Sequence, residues 1–142
     1  MSVRIKTVPK LTYEGAKAIL EAAAQKAKEM KLPICIAVVD DGGYLLIFAR
    51  LDDAKPSSES VAINKARSAA LRRAATGPLP SEEKMNVLLS LGLPMASNGI
   101  VTPLRGGLPI EWEGAVIGGI GVSAGTQAQD EEVAQAGLAG FR

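Results

Sequence analysis

Polar side chains that could bind an anion lie between an apolar segment and the helix predicted to follow it. Arg50 and Asp52 end the apolar segment, and Ser57 and Ser58 stand where the helix would begin. A helix N-terminus presents free backbone N–H groups and the positive end of its dipole, which a nearby cation reinforces. This spacing predicts a site for a small anionic molecule.

Acid–base chemistry is a second possibility. Lys65 lies at the edge of the alanine-rich face of the same helix, where its side chain could reach a cleft. Asp40, which ends an apolar strand, and Asp52 are candidate general bases, with Lys65 or Arg50 stabilising an oxyanion. An enzyme, such as a lyase or an isomerase, is therefore an alternative. Arg73, near the middle of the same face, is either functional or a cap of the helix end.

Composition excludes several kinds of site. The 142 residues include no histidine and one cysteine, so a Ser–His–Asp triad, a histidine metal site and a disulfide framework are all impossible. We expect no metal site. The net charge of +1 argues against nucleic acid as a partner. No secretory signal and no membrane-spanning run is recognisable, so a cytoplasmic protein is expected.

One glycine-rich segment resembles a dinucleotide-binding fingerprint. Residues 119–124 read Gly-Ile-Gly-Val-Ser-Ala, which fits G-x-G-x-x-A between a strand and a helix. That motif needs a further strand with an acidic residue about 20 positions on, and only one helix follows here. We therefore interpret these glycines as positions where a helix or a ligand approaches the strand closely.

The local patterns predict helices alternating with two hairpins. The first helix is capped by Thr12 and stopped by Pro33, and the last begins with a capping box at Thr126 and Gln129. Between them we expect a hairpin over residues 34–49, a helix from Ser57 or Ser58 to Ala74, a shorter helix from Ser81 to Gly92, a possible short strand at residues 100–101, and a hairpin over residues 108–122 that turns at residues 113–114.

Two tight hairpins require antiparallel pairing, so the fold class is α+β. The strands are apolar on both faces, which indicates a sheet covered on both sides by helices or by another subunit. We expect a single domain over residues 11–142, preceded by an N-terminal arm at residues 1–10.

Five blocks in order resemble the GlcG/HbpS-like family, whose relatives include the C-terminal domain of PduO-type proteins. The blocks are residues 37–43 (AVVDDGG), 48–52 (FARLD), 64–67 (NKAR), 106–110 (GGLPI) and 116–123 (VIGGIGVS). The resemblance spans about residues 11–141. It implies a profilin-like domain with a five-stranded antiparallel sheet, assembly into homo-oligomers, and binding of haem or a related ligand.

The sequence departs from that family where relatives often carry a histidine after the Gly-Gly turn, because Tyr44 stands there. The cofactor is therefore unknown, and tight haem binding is disfavoured. The side chains left as iron ligands are Tyr13, Tyr44, Cys35, Met30, Met85 and Met95.

Together these observations predict a homo-oligomeric protein that binds a small organic, anionic ligand and has no nucleic-acid or membrane partner. A structural accessory subunit without a pocket is a further alternative. The predicted ligand-binding residues are Arg50, Asp52, Ser57, Ser58, Lys65, Gly106, Gly107 and Ser123, and the catalytic candidates of the enzyme alternative are Asp40, Asp52 and Lys65.

Overall fold

The computed structural model describes residues 3–141, which form four helices and a four-stranded antiparallel sheet. The strand order is β2-β1-β4-β3, so the two hairpins meet at the centre of the sheet through β1 and β4. The elements are α1 (Tyr13–Glu29), β1 (Cys35–Asp40), β2 (Leu45–Arg50), α2 (Ser58–Arg72), α3 (Val87–Ala96), β3 (Gly107–Trp112), β4 (Ala115–Ser123) and α4 (Gln127–Ala139).

Local chemistry explains the ends of several elements. The Thr12 hydroxyl accepts a hydrogen bond from the Gly15 N–H at 3.0 Å, and Thr126 and Gln129 form the expected capping box. The β3–β4 turn has φ of 47° at Glu113 and 81° at Gly114, the left-handed conformation that two-residue hairpin turns require. These predicted boundaries are confirmed.

Helices cover both faces of the sheet. Helices α1 and α4 pack together on one face, and α2 packs across β1, β3 and β4 on the other. Alternate residues of β1 supply the two cores: Ile36 and Val38 face α1, whereas Cys35, Ala37 and Val39 face α2. The apolar character of both strand faces is thus accounted for within one chain.

Bare glycine backbone in β4 lets α2 approach the sheet very closely. A Cβ at Gly121 would collide with the carbonyl oxygen of Ala62, and one at Gly119 would collide with that of Ala66. The expectation that these glycines permit a close approach is confirmed, and the approaching partner is a helix of the same chain.

The expected five-stranded sheet is wrong, because the described residues contain four strands. No strand forms at residues 100–101: the N–H of Ile100 donates to the Ser97 carbonyl, and the N–H of Val101 donates to the Ser97 hydroxyl. Both donors are therefore used within a turn. Residues 3–10 of the predicted arm form no helix or strand and are exposed, and Lys10 pairs with Asp41 in the β1–β2 turn at 2.8 Å.

Two helix boundaries also differ from the prediction. Ser81 accepts from the N–H of Lys84 and closes only a turn, and α3 begins instead at Asn86, whose side chain accepts from the Leu89 N–H at 2.9 Å. Helix α3 continues through Gly92 to Ala96 and contains Pro94.

The C-terminal end of α2 comes at Arg72 rather than Ala74, because Arg73 adopts a left-handed conformation with φ of 58°. At the other end Ser57 occupies the N-cap position, but its side chain makes no capping hydrogen bond.

None of the helices within residues 3–141 combines the length and the apolar character that a transmembrane segment requires.

Substituting Gly121→Ala tests the contact between α2 and β4. The new Cβ would meet backbone atoms of α2, which cannot move aside as a side chain can, so we expect a loss of about 3 kcal/mol of unfolding free energy in urea titrations. Gly77→Ala is the control, because a Cβ there meets only the Arg105 side chain at 3.5 Å. Equal midpoints for the two variants would contradict this account of the contact.

Candidate functional site

A cleft lies where the end of α1 meets the end of β2. It has a volume of about 530 Å³ and is open to solvent. We call it the α1–β2 cleft; it is lined by Lys28, Lys31, Leu32, Pro33, Arg50, Leu51, Asp52 and Asp53. Arg50 and Asp52, two of the predicted site residues, are thus brought together here.

Positive charge predominates in the α1–β2 cleft, with three cationic side chains against two carboxylates. Lys28 and Lys31 lie at the carboxyl end of α1, where they partly offset the negative end of its dipole. Arg50 ends a strand and opposes no helix dipole. Across the described residues, none of these three cations lies within 4.0 Å of a carboxylate. Their charge is available to a ligand.

Backbone geometry shapes both rims of the cleft. Lys31 and Asp53 have φ of 57° and 69°, so each rim turns through a left-handed residue. The N–H of Leu51 donates to the Ile34 carbonyl at 3.0 Å, which holds the segment after β2 against the start of β1. These contacts hold the backbone of residues 50–53 beside the end of α1.

The strand register connects Arg50 to the start of α2. Arg50 pairs with Cys35, and Cys35 pairs with Ser123, so these three side chains share the sheet face that α2 covers. The N-terminal half of α2 lies near this row, because Ala62 packs in the same buried cluster as Cys35. Ser123 and Ser58 are buried there, whereas Ser57 is exposed.

Lys65 lies away from the cleft, in the interior of the protein. Its ammonium group donates to the Val122 carbonyl at 2.8 Å and to Asp130 Oδ2 at 3.1 Å, and both side chains are 3% exposed. Burial raises the pKa of Asp130, while Lys65 and the Gly125 N–H at 2.9 Å oppose that shift. Lys65 therefore links α2 to β4 and α4.

Gly106 and Gly107 pack against the same lysine. A Cβ at Gly106 would lie 2.9 Å from Lys65 Nζ, and one at Gly107 would collide with the Lys65 carbonyl. The three predicted residues Lys65, Gly106 and Gly107 thus form a filled junction, and none of them lines the α1–β2 cleft.

The catalytic candidates do not converge. Asp40 lies at the opposite end of β1 from Cys35, and its Oδ1 accepts from the N–H groups of Gly42 and Tyr44 at 2.9 and 3.0 Å. Asp52 lies in the cleft and Lys65 in the interior. Arg73 donates to the backbone carbonyls of Ala70 and Asp41, as a helix cap does.

The remaining iron-ligand candidates also lie outside the cleft. Tyr13 and Tyr44 are 54% and 75% exposed, and Cys35 is fully buried. Met30 caps α1 and is partly buried against the core, Met85 precedes α3, and Met95 belongs to it. Residues 3–141 contain no group of three cysteine or carboxylate side chains placed to hold a metal ion.

Sequence reasoning missed two lysines of the cleft and the partner of Lys65. Lys28 and Lys31 bracket the helix end before Pro33, a position that could have been recognised once Arg50 was known to face it. Asp130 is an acidic residue in the first turn of α4, and only its burial identifies it as the counter-ion of Lys65.

Comparison with known proteins gives a consistent result. Residues 11–139 match the family model described as "Haem degrading protein HbpS-like". Protein GlcG of Escherichia coli K12 is 38% identical over 119 residues, which cover 84% of this chain and 85% of GlcG. The crystal structure of Klebsiella pneumoniae protein ORFY has a TM-score of 0.89 at 31% identity, with 99% of this chain and 97% of ORFY covered. A structure described as a PduOC:heme complex has a TM-score of 0.82 at 28% identity, covering 93% and 95%.

The variant Asp130→Asn tests whether Lys65 has a structural role. It leaves a buried ammonium group without a counter-charge, so we expect a loss of about 3–5 kcal/mol in urea unfolding. Replacing both partners, as Lys65→Met with Asp130→Leu, should recover most of that loss because no buried charge remains. Asp41→Asn, which breaks the exposed pair with Lys10, is the control and should cost less than about 1 kcal/mol. A double variant no more stable than Asp130→Asn would contradict this role.

The Cys35 thiol should make stability fall at alkaline pH. Burial raises the pKa of this thiol in the folded protein. The stability that the neutral thiol contributes is therefore fully present below the thiol pKa of the unfolded chain, and it is lost as the pH rises through the thiol pKa of the folded protein. The stability difference between the natural protein and Cys35→Ala should therefore shrink in urea titrations as the pH rises above about 8.5, the ordinary pKa of a cysteine thiol. A constant difference would show that the thiol titrates alike in both states.

Proposed function

On the premise that the chain belongs to the HbpS-like family, we propose that it is a homo-oligomeric binding protein for a small organic anion. The ligand occupies the α1–β2 cleft. The observation that carries the proposal is the convergence of Lys28, Lys31 and Arg50 on one cleft without a carboxylate partner. The homo-oligomeric part is supported by exposed apolar side chains of α3.

The lining of the cleft suggests what kind of anion it takes. Arg50 can donate two parallel hydrogen bonds to a carboxylate or a phosphate, which makes it the main anchor. Leu32, Pro33 and Leu51 offer apolar surface beside it. Asp52 can accept hydrogen bonds from hydroxyl or amine groups and disfavours a second negative charge at its own rim. The best match is an organic acid with an apolar body.

The other predicted ligand-binding residues have a supporting role in this proposal. Ser123 lies in the strand row that contains Arg50, and Ser57 and Ser58 form the start of α2; none of the three lines the cleft. Lys65, Gly106 and Gly107 fix α2 against the sheet and do not touch the ligand.

Haem is the ligand named for the PduOC structure and in the family description. Haem carries two carboxylates, which the cationic cleft could bind. The lining contains no histidine, tyrosine, cysteine or methionine, so it does not fit a haem held through its iron. In our proposal the cleft binds its ligand through charge and apolar contact alone.

Ligand binding is tested first by thermal shift with a panel of organic acids, hemin and metal-free protoporphyrin, and then by calorimetry on the acids that bind. A ligand at 100 times its Kd should add about 2.7 kcal/mol of stability. Arg50→Gln should weaken binding at least about tenfold, because a charge-assisted hydrogen bond is lost. Lys55→Gln removes an exposed charge outside the lining and should bind as the natural protein does.

The porphyrin pair separates charge recognition from iron ligation. Hemin and protoporphyrin should bind with similar affinity, since both carry the same two carboxylates and the cleft offers no iron ligand. Much tighter hemin binding, equal binding by Arg50→Gln, or the absence of any stabilising anion would each refute the proposed site.

A further inference from the structure

Helix α3 presents an apolar surface that nothing in the described chain covers. Only Ser90 of its ten residues is buried, and α3 has no extensive contact with another helix or strand of residues 3–141. Leu88 and Met95 are each 82% exposed. Isolated helices of this length are unstable in water, and Gly92 and Pro94 weaken this one further. Helix α3 therefore needs a partner surface.

The three most exposed large apolar side chains of α3 form one stripe along the helix. Leu88, Leu91, Gly92 and Met95 follow the spacing i, i+3, i+4, i+7 and share one face. A Cβ at Gly92 would have no atom within 4 Å, so the centre of the stripe is bare. An antiparallel copy of α3 could therefore cross closely at Gly92, which would place Leu88 of one copy against Met95 of the other.

The charge distribution favours a second copy over other partners. Residues 85–104 contain no aspartate, glutamate, lysine or arginine. A helix that lies on a membrane surface normally carries lysine or arginine on its polar face, and α3 has none. The matching surface must be uncharged and apolar, and α3 of another copy has this chemistry and the same length.

We propose that α3 forms the contact between two copies of this chain, related by a two-fold axis near Gly92. Such a contact is isologous, with the same surface used on both sides. In each copy the three large apolar side chains of the stripe, Leu88, Leu91 and Met95, are 59–82% exposed, and three neighbours that flank it are 39–58% exposed: Met85, Val87 and Leu89. They amount to several hundred Å², on the order of the roughly 800 Å² per partner of a stable interface. The proposal rests on the homo-oligomeric part of the proposed function and is independent of the ligand.

The first test is the solution mass of a charged variant. Light scattering after size exclusion should show the natural protein as a dimer or an assembly of dimers. Leu88→Glu with Met95→Glu should raise the dissociation constant of this contact at least 100-fold, because it buries two charges in each copy without partners. Ile5→Glu is the control: Ile5 is 85% exposed but lies outside α3, so its assembly should be unchanged.

The second test is cross-linking, which reports the geometry. In the double variant Leu88→Cys with Met95→Cys, the two sites of one helix are about 10 Å apart, too far for a disulfide within the chain. Cys35 is fully buried and does not compete. Oxidation should therefore give a covalent dimer from the double variant and much less from either single variant. A double variant that stays monomeric on a non-reducing gel, or single variants that cross-link as well, would refute the antiparallel contact.

Each remaining outcome has one meaning. A monomeric natural protein would overturn both the α3 contact and the homo-oligomeric part of the proposed function, while anion binding in the cleft would stand. Unchanged assembly of the glutamate variant would overturn the α3 contact alone. Binding of the natural but not the glutamate variant to neutral lipid vesicles, without self-association, would identify a membrane as the occupant and refute the second copy.

Discussion

The close packing of α2 on β4 is the contact on which the rest of this structure depends. It is possible only because Gly119 and Gly121 leave the strand without side chains where the helix backbone passes. At that separation the alanines of α2 reach the sheet, and the face of β1 that carries Cys35 becomes buried. A larger residue in β4 would lift the helix and open this core.

The same close packing of α2 on β4 explains why the charged residue Lys65 is tolerated in the interior. Lys65 is carried to the end of β4, where the Val122 carbonyl and Asp130 of α4 satisfy its ammonium group. The pair joins elements on opposite faces of the sheet, since α2 and α4 do not share a face. Lys65 is therefore not part of the α1–β2 cleft, whose cationic side chains are Lys28, Lys31 and Arg50.

The chain combines a well-supported framework with one element that has little internal support. Helices α1, α2 and α4 are held by the sheet or by each other. Helix α3 is tied to the segment before it near its N-terminus, where the Ser90 hydroxyl and the Asn86 N–H bond to the backbone of Leu79. Its apolar side chains remain in water in a single copy. The apolar surface of α3 and the cationic α1–β2 cleft are two features that the stability of a single copy does not explain.

The sequence by itself determined what depends on neighbours along the chain: the caps at Thr12 and Thr126, the turn at residues 113–114, the antiparallel α+β class and the presence of Arg50 and Asp52 at a strand end. Tertiary structure decided what depends on distant residues. The number of strands was overestimated because Ser97 takes the N–H groups of residues 100–101. The position of Lys65 could not be predicted either, because a lysine at the edge of a helix face can reach water or a buried carboxylate. The buried position of Lys65 depends on its hydrogen bond to Asp130, which lies 65 residues away in the chain.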